Sequence, residues 1–304
     1  MSARAESFAW WSIAVGVAVL ALKLGAWRVT GGAALFSDAA ESTLNVATAV
    51  MTVATLLWAA RPADASHNYG HGKAEFFAAV IEGVLIVIAA LLILDHAWTV
   101  WRHPAPLERP GLGLFLTGGA TAANALWARL LIRNGTRLSS PALVADGRHI
   151  LSDVVTSVGV FAGVALVVTT GLGWLDPLVG ALAAVMVLVS GFHLIGDSVG
   201  GLLDAAPAEA VRTRISSVLA AILADEAGYA RTDVFEVHDL RVRQAGRSAF
   251  MEFHLVVPGA MSVAQAHRIC DRMETALKEE MTGLRVTIHV EPEEKAKHPG
   301  VAVS

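Results

Sequence analysis

The chain has 304 residues, of which 55% are hydrophobic and only 16% charged, an apolar excess that excludes an ordinary soluble globule and makes a membrane protein the first expectation. Its formal net charge of -4 offers no basic field to neutralise phosphates, which excludes nucleic acid as a partner. The single cysteine, Cys270, cannot close an intrachain disulfide; beside Ile269, Met273 and Leu277 it reads as a packing residue in a reducing compartment.

The N-terminal segment MSARAESFAWW lacks the basic stretch, short apolar core and small-residue cleavage site of a secretory signal, so the first apolar run is expected to stay in the mature protein. A helix needs about 20 residues to cross a hydrocarbon core of about 30 Å. Six runs of sufficient length occur before residue 205, near 9–29, 33–60, 76–101, 111–133, 141–171 and 176–203. Small residues, as in LTGGATAANA, suit close helix contact in a bilayer. Trp10, Trp11, Trp27, Trp58, Trp98, Trp101 and Trp174 gather toward the ends of the runs, where amphipathic rings prefer the interface. Arg4, Arg61, Lys73, Arg129, Arg133 and Arg137 fall on one side of the six spans, and only Arg28, Arg102 and Arg109 on the other. Both termini are therefore expected to be cytoplasmic.

After about residue 207 the pattern changes. AEAVRTRISSVLAAILADEA reads as an amphipathic helix, FEVHDLRVRQ and SAFMEFHLVV as two strands joined by a Gly-containing turn, MSVAQAHRICDRMETALKEEM as a second helix and LRVTIHVEP as a third strand. The order αββαβ predicts a small α+β domain with helices on one face of a sheet. The expected organisation is a six-helix transmembrane transport domain over 1–205, a cytosolic α+β domain over 206–292 and a mobile tail over 293–304, which has nothing to bury.

Ionisable groups inside apolar helices are expensive, so each marks a functional site by default. In the second run, SDAAESTLN puts Asp38, Glu41 and Asn45 on one helix face; in the fifth, ADGRHILSD does the same for Asp146, His149 and Asp153. Two helices giving two ligands each make a four-ligand site: Glu41 and Asp153 supply charge to offset a divalent cation, and neutral His149 and the Asn45 amide oxygen complete a mixed N/O shell. The bland alternative is that these groups only bond one another between helices. Imidazole changes charge near neutral pH, so His149 can take up a proton when metal leaves and release it when metal binds, a chemical basis for antiport. His193 and Asp197 repeat the i, i+4 spacing in the sixth run without a matching polar pair, and Glu82 lies about two turns inside the third; their roles stay open.

These residues resemble the cation diffusion facilitator family, most closely its bacterial ferrous-iron and zinc efflux members. The likeness runs from the first span to about 292 and is strongest in HILSD, HNYGHGKAE, WLDPLVGA, VHDLRVRQAG and TIHVEP. It implies a homodimer in the bacterial inner membrane, with the small domain ferredoxin-like or metallochaperone-like. One transport site per protomer would fall on Glu41, Asn45, His149 and Asp153. The commoner pattern has Asp or His where this chain has Glu41, and Asp where it has Asn45. Asp64, His67 and His71 lie within eight residues, enough for three ligands of one cation, and similar proteins bind metal there. Lys73 resembles a residue that pairs with an acidic group just after the last span, here Asp204, and holds the two membrane halves together. His238, His254, His267, His289 and Glu291 match positions that bind a pair of metal ions in similar proteins. Alternation supports part of this set, because His289 and Glu291 share a strand face opposite Val286, Ile288 and Val290.

The function expected is proton-coupled export of divalent transition-metal ions, zinc favoured over iron, manganese, cobalt, nickel or cadmium. A metal sensor or scaffold signalling through the cytosolic domain is one alternative. A membrane metallohydrolase is the other, but no HExxH motif or activated nucleophile is visible and four protein ligands leave no open position, so no enzyme is expected.

Overall fold

The computed structural model describes residues 3–104, 106–137, 141–207, 209–230, 236–246, 248–280 and 283–297. Six long helices come first: α1 (Ala3–Thr30), α2 (Ala33–Ala59), α3 (Ala74–Arg102), α4 (Pro110–Arg137), α5 (Pro141–Thr170) and α6 (Leu175–Leu202). Each coincides with one of the expected apolar runs. Among the described residues, helices α1, α3, α5 and α6 are long and apolar enough by themselves to cross a membrane.

Helix ends follow from local chemistry. Gly31, at φ +68°, ends α1 by donating its N–H to the Trp27 carbonyl at 2.8 Å, a left-handed position that glycine adopts without strain. The first free N–H groups of α2 would be orphans in an apolar setting; Asp176 of α6 accepts from Ala33 at 2.6 Å and from Ala34 at 3.2 Å. Thus Asp176, in the WLDPLVGA segment, is a cap supplied from another helix. Helices α4 and α5 each begin with proline, which costs no hydrogen bond at that position.

Glycines set how closely the helices approach. A Cβ at Gly83 of α3 would stand 2.6 Å from Ile195 Cγ1 of α6, and one at Gly147 of α5 would stand 2.9 Å from the Ala128 carbonyl oxygen of α4. These are close backbone crossings of the kind that small residues permit in a bilayer. Outward, Leu85, Ile88, Leu92, Met186, Val189 and Phe192 are exposed, an apolar exterior suited to lipid contact.

The second part comprises α7 (Glu209–Ala230), β1 (Glu236–Ala245), β2 (Ser248–Val257), α8 (Val263–Glu280), β3 (Leu284–Pro292) and a 3-10 turn at Glu293–Lys295. The sheet order is β1-β2-β3, with β1 antiparallel and β3 parallel to β2. Gly246 turns the hairpin at φ +58°, and α8 makes the crossover that a parallel pair requires. One sheet face packs Met251, Phe253 and Leu255 against Ile215 and Leu219 of α7 and Ile269, Met273 and Leu277 of α8. Cys270 lies in this core; burial pushes its thiol up, so it stays protonated and packs as a small hydrophobe.

The contacts divide the chain into two compact units, Met1–Thr55 with Ala78–Gly196 and Leu56–Phe77 with Asp197–Ser304. The loop between α2 and α3 thus groups with the C-terminal part. Within the segment expected to be a tail, the Lys297 N–H donates to Glu236 Oε1 at 3.0 Å, and Glu293 Oε2 accepts from the Gly259 N–H at 2.6 Å. Residues 298–304 lie outside the described residues.

The crossing of α4 and α5 yields a test. The Gly147→Ala variant should lower the melting temperature in detergent, because backbone at Ala128 cannot yield as a side chain can and overpacking costs about 1–3 kcal/mol. Gly159→Ala, whose Cβ would meet nothing within 4 Å, should leave it unchanged. Equal effects of the two would mean that the close crossing is not a constraint.

Candidate metal centres

Three groups of polar residues stand out, one in the helical bundle and two outside it. In the bundle, the one-face spacing on α2 and α5 brings Asn45 and Asp153 together, with Asn45 Nδ2 donating to Asp153 Oδ2 at 2.9 Å. Thr156, one turn along α5, donates to Glu41 Oε2 at 3.4 Å. His149 Nε2 stands 3.9 Å from Asp153 Oδ2, with its side chain 64% exposed where that of Asp153 is 13% exposed. The four residues therefore share one α2/α5 region, as the sequence predicts, but form an open set. To offer its oxygen to a cation in place of its N–H, the Asn45 amide must turn over.

The outer members of the two patterns have other partners. Asp38 is bonded to Lys23 Nζ at 2.8 Å and accepts from Ser157 Oγ at 2.7 Å, with both charged side chains almost fully buried. Lys23 also donates to Ser157 at 2.8 Å, so the three groups close a triangle between α1, α2 and α5. Asp146 accepts from Ser12 Oγ at 2.8 Å, and the Trp127 indole donates to that same hydroxyl at 2.9 Å. Sequence reasoning passed over Lys23; a lysine within AVLALKLGAW was the visible signal. His193 and Asp197 are exposed on α6, and Glu82 is half-buried on α3.

In the loop between α2 and α3, Asp64, His67 and His71 offer ligand atoms that all lie within 4.8 Å of one another. Asp64 organises the loop, accepting from the Ser66 N–H and hydroxyl and from the His67 N–H, the last at 2.7 Å. These donors, the Ser66 hydroxyl foremost, hold its carboxyl down at about 2, so it is ionised at any ordinary pH. His71 is buried, and its Nδ1 has no hydrogen-bond partner. Lys73 pairs with Asp204 at 3.0 Å within the chain and also donates to the Leu202 carbonyl at 3.1 Å. Arg243 adds a second tie: it stands 3.6 Å from Asp204 and lies over the rings of Tyr69 and Phe250, at 5.1 and 4.5 Å. Gly72 is required here, since a Cβ would stand 2.9 Å from the Ala245 carbonyl carbon.

The third group lies on the sheet. Register places His238, His254 and His289 in one row across β1, β2 and β3, on the face away from α7 and α8. Glu291 reaches all three, at 3.2 Å from His238 Nε2, 3.3 Å from His254 Nδ1 and 3.6 Å from His289 Nε2. Both ring nitrogens of His238, Nδ1 of His254 and Oε2 of Glu291 are buried without a hydrogen-bond partner. Buried imidazoles and a carboxylate lacking partners fit a divalent metal, which takes up such lone pairs. His267 is not brought to this row: it is exposed on α8 and faces Asp271 at 3.8 Å. The core occupies the sheet face that α8 covers.

Asp239 joins the group instead. A bulge slips the β1 register between His238 and Arg241, and Asp239 turns to φ +53°. Strict alternation would send its side chain to the other face, which is why the sequence hid it. Its carboxylate lies 3.5 Å from His238 Nδ1 and 3.9 Å from His254 Nδ1, and the ligand atoms of His238, Asp239 and His254 are all within 4.8 Å. The Lys297 ammonium, bonded to it at 2.6 Å, holds its carboxyl below the usual carboxylate range, so that it stays ionised.

An apolar helical bundle with polar residues facing one another across two helices, followed by a small domain with clustered metal-ligand side chains, defines a membrane transport protein for metal cations. The model of the cation efflux transmembrane domain matches residues 9–203, and that of the cytoplasmic domain of cation efflux proteins matches 226–293. The chain belongs to the cation diffusion facilitator family, whose members are cation efflux transporters and not enzymes. It is 42% identical over 303 residues to an uncharacterized transporter of Synechocystis sp., covering 98% of this chain and 95% of that one. It is 31% identical over 284 residues to the cation-efflux pump FieF of Shewanella oneidensis, covering 92% of each. Among solved structures, CzrB in its Zn form is 42% identical, with a TM-score of 0.27, over 31% of this chain and 97% of that one. The metal-bound C-terminal domain of the CzcD transporter from Thermotoga maritima is 25% identical, with a TM-score of 0.24, over 30% of this chain and 100% of that one. The family assignment does not rest on these two.

The buried triangle behind the α2/α5 residues can be tested apart from transport. Lys23→Met leaves Asp38 as a buried charge without its cation, a change that costs about 3–5 kcal/mol. A large fall in melting temperature is expected, with recovery when Asp38→Leu is added. If Lys23→Met alone is harmless, the pair is not holding the three helices.

Proposed function

We propose that this protein exports divalent transition-metal ions from the cytoplasm in exchange for protons. It works as a homodimer in the bacterial inner membrane, with all six long helices crossing the bilayer and both termini cytoplasmic. Residues 1–205 carry the ion, and residues 206–292 form a metal-binding dimerisation domain. The observation that carries the reading is the meeting of Asn45 and Asp153 at 2.9 Å, with Glu41 and His149 beside them, inside an apolar bundle. Two carboxylates, an imidazole and an amide match the charge and donor preferences of zinc, the favoured ion, and an imidazole that is free when the ion departs can accept the returning proton.

The Asp64, His67 and His71 loop and the His238, His254, His289, Glu291 and Asp239 group are read as further metal sites. His267 is the weakest member of the proposed cytosolic set, because it faces Asp271 on α8. These sites lie outside the bundle and act on stability and metal sensitivity rather than on passage of the ion.

Purified protein in liposomes, given a pH gradient, should move zinc, and competition with ferrous iron, manganese, cobalt, nickel and cadmium ranks the substrates. Asp153→Ala should abolish flux while the protein stays folded and dimeric, since it removes one of two balancing charges; full-rate flux would remove these residues from the transport site. Asn45→Asp adds a charge and should tighten binding and slow release.

The triple variant His238→Ala, His254→Ala, His289→Ala should bind fewer metal ions per protomer and lose much of the metal-induced rise in melting temperature, because a ligand that binds only the folded state stabilises it by linkage. Flux at saturating metal should persist. A folded triple variant that is dead at saturating metal would instead put the soluble domain in the transport path.

A further inference from the structure

We propose that Lys297 is a built-in cation that occupies the cytosolic metal site of its own chain, and that a metal ion binding at His238, Asp239 and His254 displaces it and loosens residues 293–297. This rests on reading that cluster as a metal site. Lys297 Nζ is bonded to Asp239 Oδ2 at 2.6 Å, the oxygen that His238 Nδ1 and His254 Nδ1 face at 3.5 and 3.9 Å. The ammonium therefore holds the carboxylate atom that a metal bound by these imidazoles would take.

The rest of the pocket is not answered in the same way. Both nitrogens of His238 and Nδ1 of His254 are buried with no hydrogen-bond partner, and an ammonium, which only donates, reaches neither ring. Lys297 satisfies the charge of Asp239 and leaves the imidazole lone pairs open. A divalent ion satisfies both, and its charge repels an ammonium from the shared carboxylate oxygen.

The lysine is carried on a short strap. From the end of β3, Glu293 Oε2 accepts from Gly259 N–H in the turn before α8, and Lys297 N–H donates to Glu236 Oε1 at the start of β1. Residues 293–297 are thus tied to the turn before α8 and to the start of β1. The Lys297 side chain is 57% exposed and that of Asp239 39% exposed, so the ion pair is one that a metal can displace. Losing the pair loosens the strap at Lys297, so that residues 293–297 respond to metal bound on the sheet.

The experiment uses the full-length protein in detergent, with zinc affinity measured by chelator competition and backbone hydrogen exchange followed over 293–297. Lys297→Ala should tighten the cytosolic affinity about two- to five-fold, the range an exposed ion pair contributes. Lys297→Arg should behave as wild type, and Lys295→Ala, with the same change in net charge, should leave affinity unchanged. Zinc should speed exchange of 293–297 in the wild type, and the Lys297→Ala effect should vanish once His238→Ala and His254→Ala are present. If Lys297→Ala and Lys295→Ala bind zinc equally and zinc leaves tail exchange unchanged, while the two histidine replacements still lower zinc stoichiometry, the displacement is wrong and the metal site stands. If those histidine replacements leave zinc stoichiometry intact, the metal site itself is wrong and the displacement falls with it.

Discussion

A charge among apolar helices must be met by an opposite charge or by hydrogen bonds, because no water is there to solvate it. In this protein Lys23 meets Asp38 at 2.8 Å, with Ser157 bonded to both. That triangle engages Oδ1 of Asp38 twice, from Lys23 and from Ser157. Glu41 and Asn45, one and two turns further along the same face, are left to look across to Asp153 and Thr156. On α2, Asp38 fastens helices because the buried Lys23 sits beside it, and Glu41 and Asn45 face α5 instead.

The cytosolic sheet reverses the arrangement. Its polar row is held in place by strand register and by an apolar core on the opposite face, so the histidines need no bonds with one another to stay together. Buried ring nitrogens remain without partners, which is costly unless something else answers them. A cation with open coordination positions has the chemistry to do so beside Glu291 and Asp239.

The loop from α2 to α3 groups with the C-terminal unit through contacts of mixed kind. The Lys73 to Asp204 pair is partly exposed and by itself contributes about 0–1 kcal/mol. Arg243 reinforces it by facing Asp204 and stacking on Tyr69 and Phe250, while Gly72 lets the loop backbone approach Ala245. Asp64, His67 and His71 are therefore carried on a loop held near its α3 end.

Periodicity was enough to read the six long helices and the αββαβ order, since apolar runs and alternation are local properties of the chain. The same reasoning found Glu41, Asn45, His149 and Asp153, because helix spacing fixes which side chains share a face, and the row of His289 with Glu291, because strand parity does the same. Tertiary structure decided what spacing cannot express. Lys23 lies one helix from Asp38 and far from Ser157 along the chain and meets them only when α1, α2 and α5 pack. Asp239 enters the histidine cluster through a bulge that breaks the alternation on which a strand reading depends. His267 stays apart because α8 covers the other face of the sheet, and Lys297 arrives beside Asp239 only because β3 ends next to β1's partner strand. Local pattern assigns faces; only the packing of distant segments decides which faces meet.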